Sequence, residues 1–417
     1  MKPDMYLITH DFPYGHTEDS FVKPEYAYLC DKFHVTVIAA EAGKTEEILC
    51  DNSIESCIIP TTQSLPDKLI SLLRFLCEKD CYIEIAAIIR DKKQVLKRIY
   101  RALMFGTAAE TFYRRFKRKI GLNRNTDALF YFYWFDYKCF GLAMHKHKFP
   151  HSKIIARTHG YELYDHRELY GRQFFKPQTD AKLEKLIFAA QFAKEYYLER
   201  YGKQDSDKYP LHRLGVADKN MSSESRKDAY KEEFLLLSCS CAIPLKRIDL
   251  IIDGLSVITD KKIKWVHIGG GAELDRLRET AQKELSGKDN IQYEFTDTLP
   301  NDKVVSFYKE HYVSCFITTT STEGGSPVSV QEALSFGVPV IAASVGELSR
   351  MVSNNGILLS ENPTGEEVGS AIAHMAEIYS MEEYFTMCEQ SLRIFRDQFD
   401  ADRNFSILAD ELERITD

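Results

Sequence analysis

Two glutamates, Glu323 and Glu332, bracket a loop that begins Gly324-Gly325-Ser326-Pro327. The loop follows an apolar run, Val313 to Thr318, and opens a helix-like stretch. Adjacent glycines let a backbone approach a ligand closely. Amides at a helix start meet the positive end of its dipole and favour an anion such as phosphate. A carboxylate accepts hydrogen bonds from sugar hydroxyls. Spacing alone fits a glycine-rich turn with a solvated glutamate equally well. A second group, Ser238 to Asp249, carries the adjacent cations Lys246 and Arg247 beyond another apolar run. Such cations suit a diphosphate whose negative charge grows as its bond to a sugar breaks. A solvated Lys-Arg pair at a helix start is the competing reading. Gly269-Gly270-Gly271 follows His267-Ile268 and lacks the full dinucleotide pattern, so it is a weak nucleotide signal. Nearer the N-terminus, Gly15 lies in the loop Phe12 to Glu18, and His159-Gly160 with Glu162 follows a short apolar run ending at Arg157.

These groups need strands that end where they begin. Met5 to His10, His34 to Ala40, Ser56 to Ile59, Ala128 to Tyr133 and Ile154 to Arg157 read as strands separated by helical material. The polar stretch Pro210 to Arg226 reads as a domain linker. Six further strands are expected at Phe234–Ser240, Lys264–Ile268, Gln292–Phe295, Val313–Thr318, Val338–Ala342 and Ile357–Leu359. Short buried strands alternating with helices predict parallel, wound sheets. The expected fold is therefore α/β, with two Rossmann-like domains facing each other across a cleft. Residues 1–212 form the first domain and 213–395 the second. A final helical piece covers 396–417. Ligands in such sheets bind at the carboxyl ends of strands.

The segment Glu323 to Ile341 resembles the donor-sugar signature of glycosyltransferase family 4, retaining enzymes of the GT-B fold. The resemblance implies that Glu323 and the loop Gly324, Gly325, Ser326, Pro327 meet the donor's sugar and phosphates, and that Glu332 binds the nucleotide ribose. The family has one residue fewer between its two glutamates. Ser238 to Asp249 resembles its phosphate-binding loop, with Lys246 matching the family lysine. Cys241 stands where many members carry an arginine, and Arg247 is the candidate to compensate. Gly270 and Gly15 resemble the family's glycine turns around the donor. His159 resembles its histidine beside the reacting sugar. His159, Glu323 and Lys246 are thus the implied catalytic residues. The resemblance also implies that residues 1–212 bind the acceptor and 213–395 the nucleotide-sugar, with the helical piece 396–417 packing back on the first domain. The implied reaction moves a sugar from a nucleotide-sugar, expected to be UDP-linked, to a glycan or lipid-linked acceptor in surface polysaccharide assembly. An inactive partner subunit of the same fold and a sugar-nucleotide epimerase are the alternatives.

The 417 residues carry a formal charge of −8, which disfavours nucleic acid as a partner of the whole chain. The ten cysteines lack any Cys-x-x-Cys pair and fit reduced thiols. Cys239 and Cys241 alternate along an expected strand, which predicts two core thiols on one face. No metal or other cofactor is expected. Asp205-Ser206-Asp207 reads as a turn, and His145, His147 and His151 read as solvated among lysines. Asp91 to Arg124 is the exception to the acidic balance. Its Arg114, Arg115, Lys117, Arg118 and Lys119 are interleaved with aromatic and aliphatic residues. Such a segment suits an anionic membrane surface, and a solvated helix pair is the competing reading. A cytoplasmic protein, peripheral on the inner face of the plasma membrane, is expected.

Overall fold

The computed structural model describes residues 2–15, 18–40 and 53–416. Cys50, His16 and Thr17 lie outside the described residues. The chain divides into two units, residues 1–212 with 405–417, and residues 213–404.

The first unit holds a six-stranded sheet: β1 (Asp4–Thr9), β2 (His34–Ala39), β3 (Ser56–Ile58), β4 (Leu129–Phe132), β5 (Lys153–Thr158) and β6 (Lys185–Phe188). The spatial order is β3-β2-β1-β4-β5-β6, all parallel. Around it lie α1 (Val22–Lys32), α2 (Leu65–Phe75), α3 (Lys79–Asp91), α4 (Val95–Ile120), α5 (Tyr137–Met144), α6 (Lys176–Asp180) and α7 (Gln191–Arg200). The second unit repeats the plan with β7 (Phe234–Cys239), β8 (Ile263–Ile268), β9 (Ile291–Phe295), β10 (Cys315–Thr318), β11 (Val340–Ala343) and β12 (Gly356–Leu359). Their order is β12-β11-β10-β7-β8-β9, which is the first sheet's order read from the other edge. Its helices are α8 (Ser223–Asp228), α9 (Asp249–Val257), α10 (Leu274–Leu285), α11 (Asn301–Glu310), α12 (Val328–Ser335), α13 (Leu348–Met351), α14 (Gly365–Ile378) and α15 (Glu382–Gln398). α16 (Ala401–Thr416) follows, and its residues from 405 onward belong to the first unit.

Parallel strands covered by helices on both faces are apolar along their whole length. In β7, Phe234 and Leu236 enter one core layer, while Leu235 and Leu237 enter the other. In the first unit, Phe130 and Phe132 of β4 pack with Phe112 and Phe116 of α4. That helix is a single 26-residue element, not a pair. It stops at Gly121, and Lys117, Arg118 and Lys119 occupy its last turn, where cations complement the dipole.

Several expectations need correction. β6 was not anticipated. The stretch read as a linker does contain the boundary between the units, after His212, but it is bonded on both sides of that boundary. His212 N donates to Phe188 O at 3.0 Å, and Val216 bridges to Asp400. Arg226, on the short helix α8, is buried beneath Tyr312, its guanidinium 3.9 Å from the ring centroid. β7 ends at Cys239, so Cys241 lies beyond it and is exposed; the two thiols do not share a strand face. His145 is buried rather than solvated, because Glu110 of α4 receives its ring nitrogen at 2.6 Å. Asp207 does lie in a surface turn, closed by Tyr209 N on Ser206 O at 2.9 Å, and Asp205 just before it is 2.8 Å from Lys194. The nine cysteines among the described residues are free.

One buried ion pair ties α1 to the first sheet. Arg157 and Glu25 are both nearly fully buried and bonded to each other. Tyr131 donates to Glu25 at 2.7 Å, and Arg157 donates to His212 O at 2.6 Å. Removing one member leaves the other charge buried without its counterion. Glu25→Ala is therefore expected to cost about 3–5 kcal/mol. Urea unfolding followed by tryptophan fluorescence checks this; a cost below about 1 kcal/mol would match an exposed pair instead.

Candidate functional site

In each sheet, two central neighbours send their chains in opposite lateral directions, and loops leaving their carboxyl ends diverge to form a crevice. In the second unit those neighbours are β7 and β10. β7 leads to the turn Pro244–Lys246, and β10 leads to the loop 319–327 and then α12.

Backbone and side-chain bonds stitch these two loops together. Ser321 N donates to Leu245 O at 2.9 Å, and the Thr319 hydroxyl donates to Arg247 O at 2.7 Å. Arg247 returns its Nε to Thr319 O at 2.8 Å and an Nη to Thr320 O at 3.1 Å. Its guanidinium therefore clamps the loops. Lys246 instead extends its ammonium to Glu323, 3.2 Å from Oε2. The glycine triplet braces the same loop from behind. Gly271 has φ +150°, and a Cβ there would stand 2.5 Å from Ala242 O. Gly270 O receives Ala242 N at 2.8 Å, and Gly270 N donates to Thr298 Oγ1 at 3.2 Å.

Glu323 is fixed from several directions. Gly325 N approaches its Oε1 at 3.4 Å, and Glu347 N donates to its carbonyl at 3.1 Å. Gly346, with φ +53°, lies so near that a Cβ would come within 1.6 Å of that carbonyl oxygen. Gln331 is wholly buried, and its amide donates to Ser326 Oγ at 2.8 Å, which locks the loop before Pro327, the N-cap of α12. Glu332 lies inside α12 and is 5% exposed. Burial pushes its carboxyl up to about 7, against the opposing pull of the Asn301 amide and the Lys219 charge. Asn301 donates to its Oε1. A protonatable carboxylate, an ammonium–carboxylate pair and a run of loop amides thus share the carboxyl end of one sheet. Asn301, Lys219, Gln331, Gly346 and Glu347 were not anticipated from sequence. Each acts on a partner at least five residues away and carries no local motif.

The first unit has its own cluster where β1 and β4 part. Glu18 is buried and receives Asp11 N at 2.8 Å, Phe12 N at 3.0 Å and the Trp134 indole N–H at 2.6 Å. Gly15 N donates to Asp11 O at 3.0 Å in the same loop. His159 follows β5 and stacks on Tyr133 at 5.1 Å, with Trp134 4.4 Å away. Its Nε2 is buried without a hydrogen-bond partner. Glu162 receives His159 N at 2.6 Å and Gly160 N at 3.2 Å. His10 lies 3.3 Å from Asp136 and stacks on Trp134. Burial opposes ionisation of Asp136, but Lys138 and His10 overcome it and hold its carboxyl far below the usual range. Burial lowers Lys176 to about 8, although Glu162 and Asp136 pull it upward. The basic residues Arg114, Arg115, Lys117, Arg118 and Lys119 stand apart from this cluster, on α4. Among the described residues, no group of three or more His, Cys, Asp or Glu side chains is arranged to hold a metal ion. No helix there is long and apolar enough to cross a membrane.

Comparison with known proteins finds a family match for the second unit's loops. Residues 221–388 match the model of "Glycosyl transferases group 1". A Haemophilus influenzae protein described as an uncharacterized glycosyltransferase is 28% identical over 160 residues, 37% of this chain. The alignment spans 43% of that protein's length. Among solved structures, a glycosyltransferase from Rickettsia africae superposes with a TM-score of 0.66 at 12% identity, covering 100% of this chain and 98% of that one. Anabaena HepE, in complex with UDP and glucose, superposes with a TM-score of 0.64 at 13% identity, covering 98% and 99%. Residues 221–388 thus match the glycosyl transferases group 1 model, in a chain whose two parallel α/β sheets have the GT-B fold of solved glycosyltransferases.

Proposed function

We propose that this protein is a retaining glycosyltransferase that moves a sugar from a UDP-sugar, held on the second unit, to a glycan or lipid-linked acceptor in surface polysaccharide assembly. The observation that carries the reading is Glu332, a buried carboxylate on the helix opened by the glycine loop. A carboxylate there accepts two ribose hydroxyls at once. Lys246 and the Gly325 and Ser326 amides meet the diphosphate, whose charge rises as the glycosidic bond lengthens. Glu323 holds hydroxyls of the donor sugar. The reading assigns the diphosphate's charge to these groups and needs no metal. The transition state is oxocarbenium-like, and front-face attack lets the departing phosphate take the acceptor's proton. His159 and Gly15 of the first unit are assigned to the same reaction.

The test is incubation with a panel of UDP-sugars, with UDP release and the anomer of the first product read by NMR. Release with the donor's configuration kept in the product supports the proposal. Inversion removes the retaining assignment, and no release from any donor sinks the transferase reading. One observation favours a non-catalytic partner instead. Cys241 replaces a family arginine, and Arg247 is engaged on carbonyl oxygens rather than standing in for it.

Gly346 supplies a prediction on positioning. Any side chain there must displace the Glu323 carbonyl. Small misplacements of catalytic groups cost up to about 100-fold. Gly346→Ala is expected to lower kcat at least about tenfold, with a smaller change in donor KM. Unchanged kcat in a folded variant would show that Glu323 does not act in the chemical step.

A further inference from the structure

α2 buries only Ser71 and Phe75 against its neighbours. Leu65, Leu69, Ile70 and Leu73 are exposed, by 83%, 59%, 44% and 58%. At 100° per residue, Leu69 and Leu73 fall on the side of the helix opposite Ser71 and Phe75. The pattern is that of an amphipathic helix with its apolar side outward. α3 continues it with exposed Tyr82, Ile83 and Ile89, and the Tyr82 hydroxyl donates to Leu76 O at 2.7 Å, joining the two helices. Contiguous exposed apolar surface of this kind marks an interaction face.

A cationic groove borders the same helix. It encloses about 860 Å³ between α2 and the C-terminal half of α4, and its lining includes Arg114, Arg115, Lys117, Arg118, Lys119 and Lys148. Asp67 is the carboxylate among its lining residues, bonded to Arg115 at 2.8 Å. Arg115 also donates to Thr62 O at 2.8 Å, which holds the start of α2 against the basic end of α4. Lys117, Arg118 and Lys119 remain exposed. The chain as a whole is acidic, so this concentration of positive charge is local.

We propose that α2 and α3 lie in the interface of an anionic bilayer, with the leucine face in the acyl boundary and the groove taking lipid phosphates. Apolar burial together with cationic attraction is the two-signal requirement for stable interfacial binding. A second copy of the chain would cover the leucines but would bring two like-charged grooves together. The inference stands without the transferase reading, because binding is measured without donor or acceptor.

The test is sedimentation of the full chain with vesicles of equal phosphatidylglycerol and phosphatidylcholine, against phosphatidylcholine alone. Binding to the anionic vesicles is expected to be at least tenfold tighter. Replacing Lys117, Arg118 and Lys119 with serine should weaken it on the order of 100-fold, at about fivefold per cation. Leu69→Ser with Leu73→Ser should also weaken it at least fivefold, and should do so at high salt, where charge is screened. All five side chains are exposed, and thermal unfolding verifies that the variants fold. Equal binding to both vesicle types, or wild-type binding by the serine variants, would overturn the proposal. So would a concentration-dependent dimer, lost on Leu69→Ser with Leu73→Ser, in a chain that ignores vesicles.

Discussion

Lys246→Ala is expected to slow UDP-sugar turnover by roughly 100- to 1,000-fold, the range for removing one preorganised group that meets developing negative charge. Lys246 ends the turn after β7 and already lies 3.2 Å from Glu323. Before a donor arrives, the pair keeps both charges compensated. Under the proposed function, a diphosphate at the loop would give the ammonium a second partner and free the glutamate for sugar hydroxyls. The neighbouring cation gives little cover, because Arg247 bonds the carbonyl oxygens of Thr319 and Thr320. Arg247→Ala should accordingly reduce stability and loop order more than it reduces the rate of the chemical step. Steady-state release of UDP measures both variants. Turnover unchanged in Lys246→Ala would remove this residue from the chemistry.

The second large effect concerns Glu332 and changes sign between stability and binding. Its carboxyl lies at about 7 in the folded chain against 4.5 for an ordinary glutamate. Between those values the folded chain holds a proton that the unfolded chain has lost. The stability contributed by Glu332 is therefore greatest below 4.5 and is lost as pH rises to about 7. The whole decline is on the order of 3 kcal/mol. Glu332→Gln removes the titration while keeping an acceptor for Asn301. The variant should match the wild type near pH 5 and exceed it at pH 8, by chemical denaturation. Donor binding runs the other way. Ribose hydroxyls need the ionised carboxylate, so wild-type affinity for a UDP-sugar should rise from pH 6 to pH 8. A UDP-sugar is the right probe because its diesterified diphosphate does not titrate in that range. In Glu332→Gln the affinity should be at least about tenfold lower at pH 8 and independent of pH. A stability curve with the same slope in both proteins would mean that Glu332 is ionised throughout.

The strand plan was largely legible because parallel strands buried on two faces write themselves as short apolar runs. All six strands of the second sheet lie within two residues of their expected ends. β6 escaped because Leu186 to Ala190 continues into α7 without a glycine or proline to mark the turn. Local placement was legible too, and Lys246, Glu323 and Glu332 do stand at loops from two central strands or on the helix that follows. What lay hidden was partnership across distance. Nothing near His145 signals that Glu110 will bury it. Nothing near Arg247 signals that Thr319 and Thr320 will occupy its guanidinium. The outward leucines of α2 are equally silent, because an amphipathic period does not say which side faces the core.

Isothermal titration of UDP into the full chain at pH 8 tests the central claim most directly, alongside Lys246→Ala and Glu332→Ala. One saturable site is predicted, weakened at least about tenfold by either substitution. Absence of binding by UDP, or UDP binding of wild-type strength in both variants, would contradict a nucleotide-sugar site built on these residues.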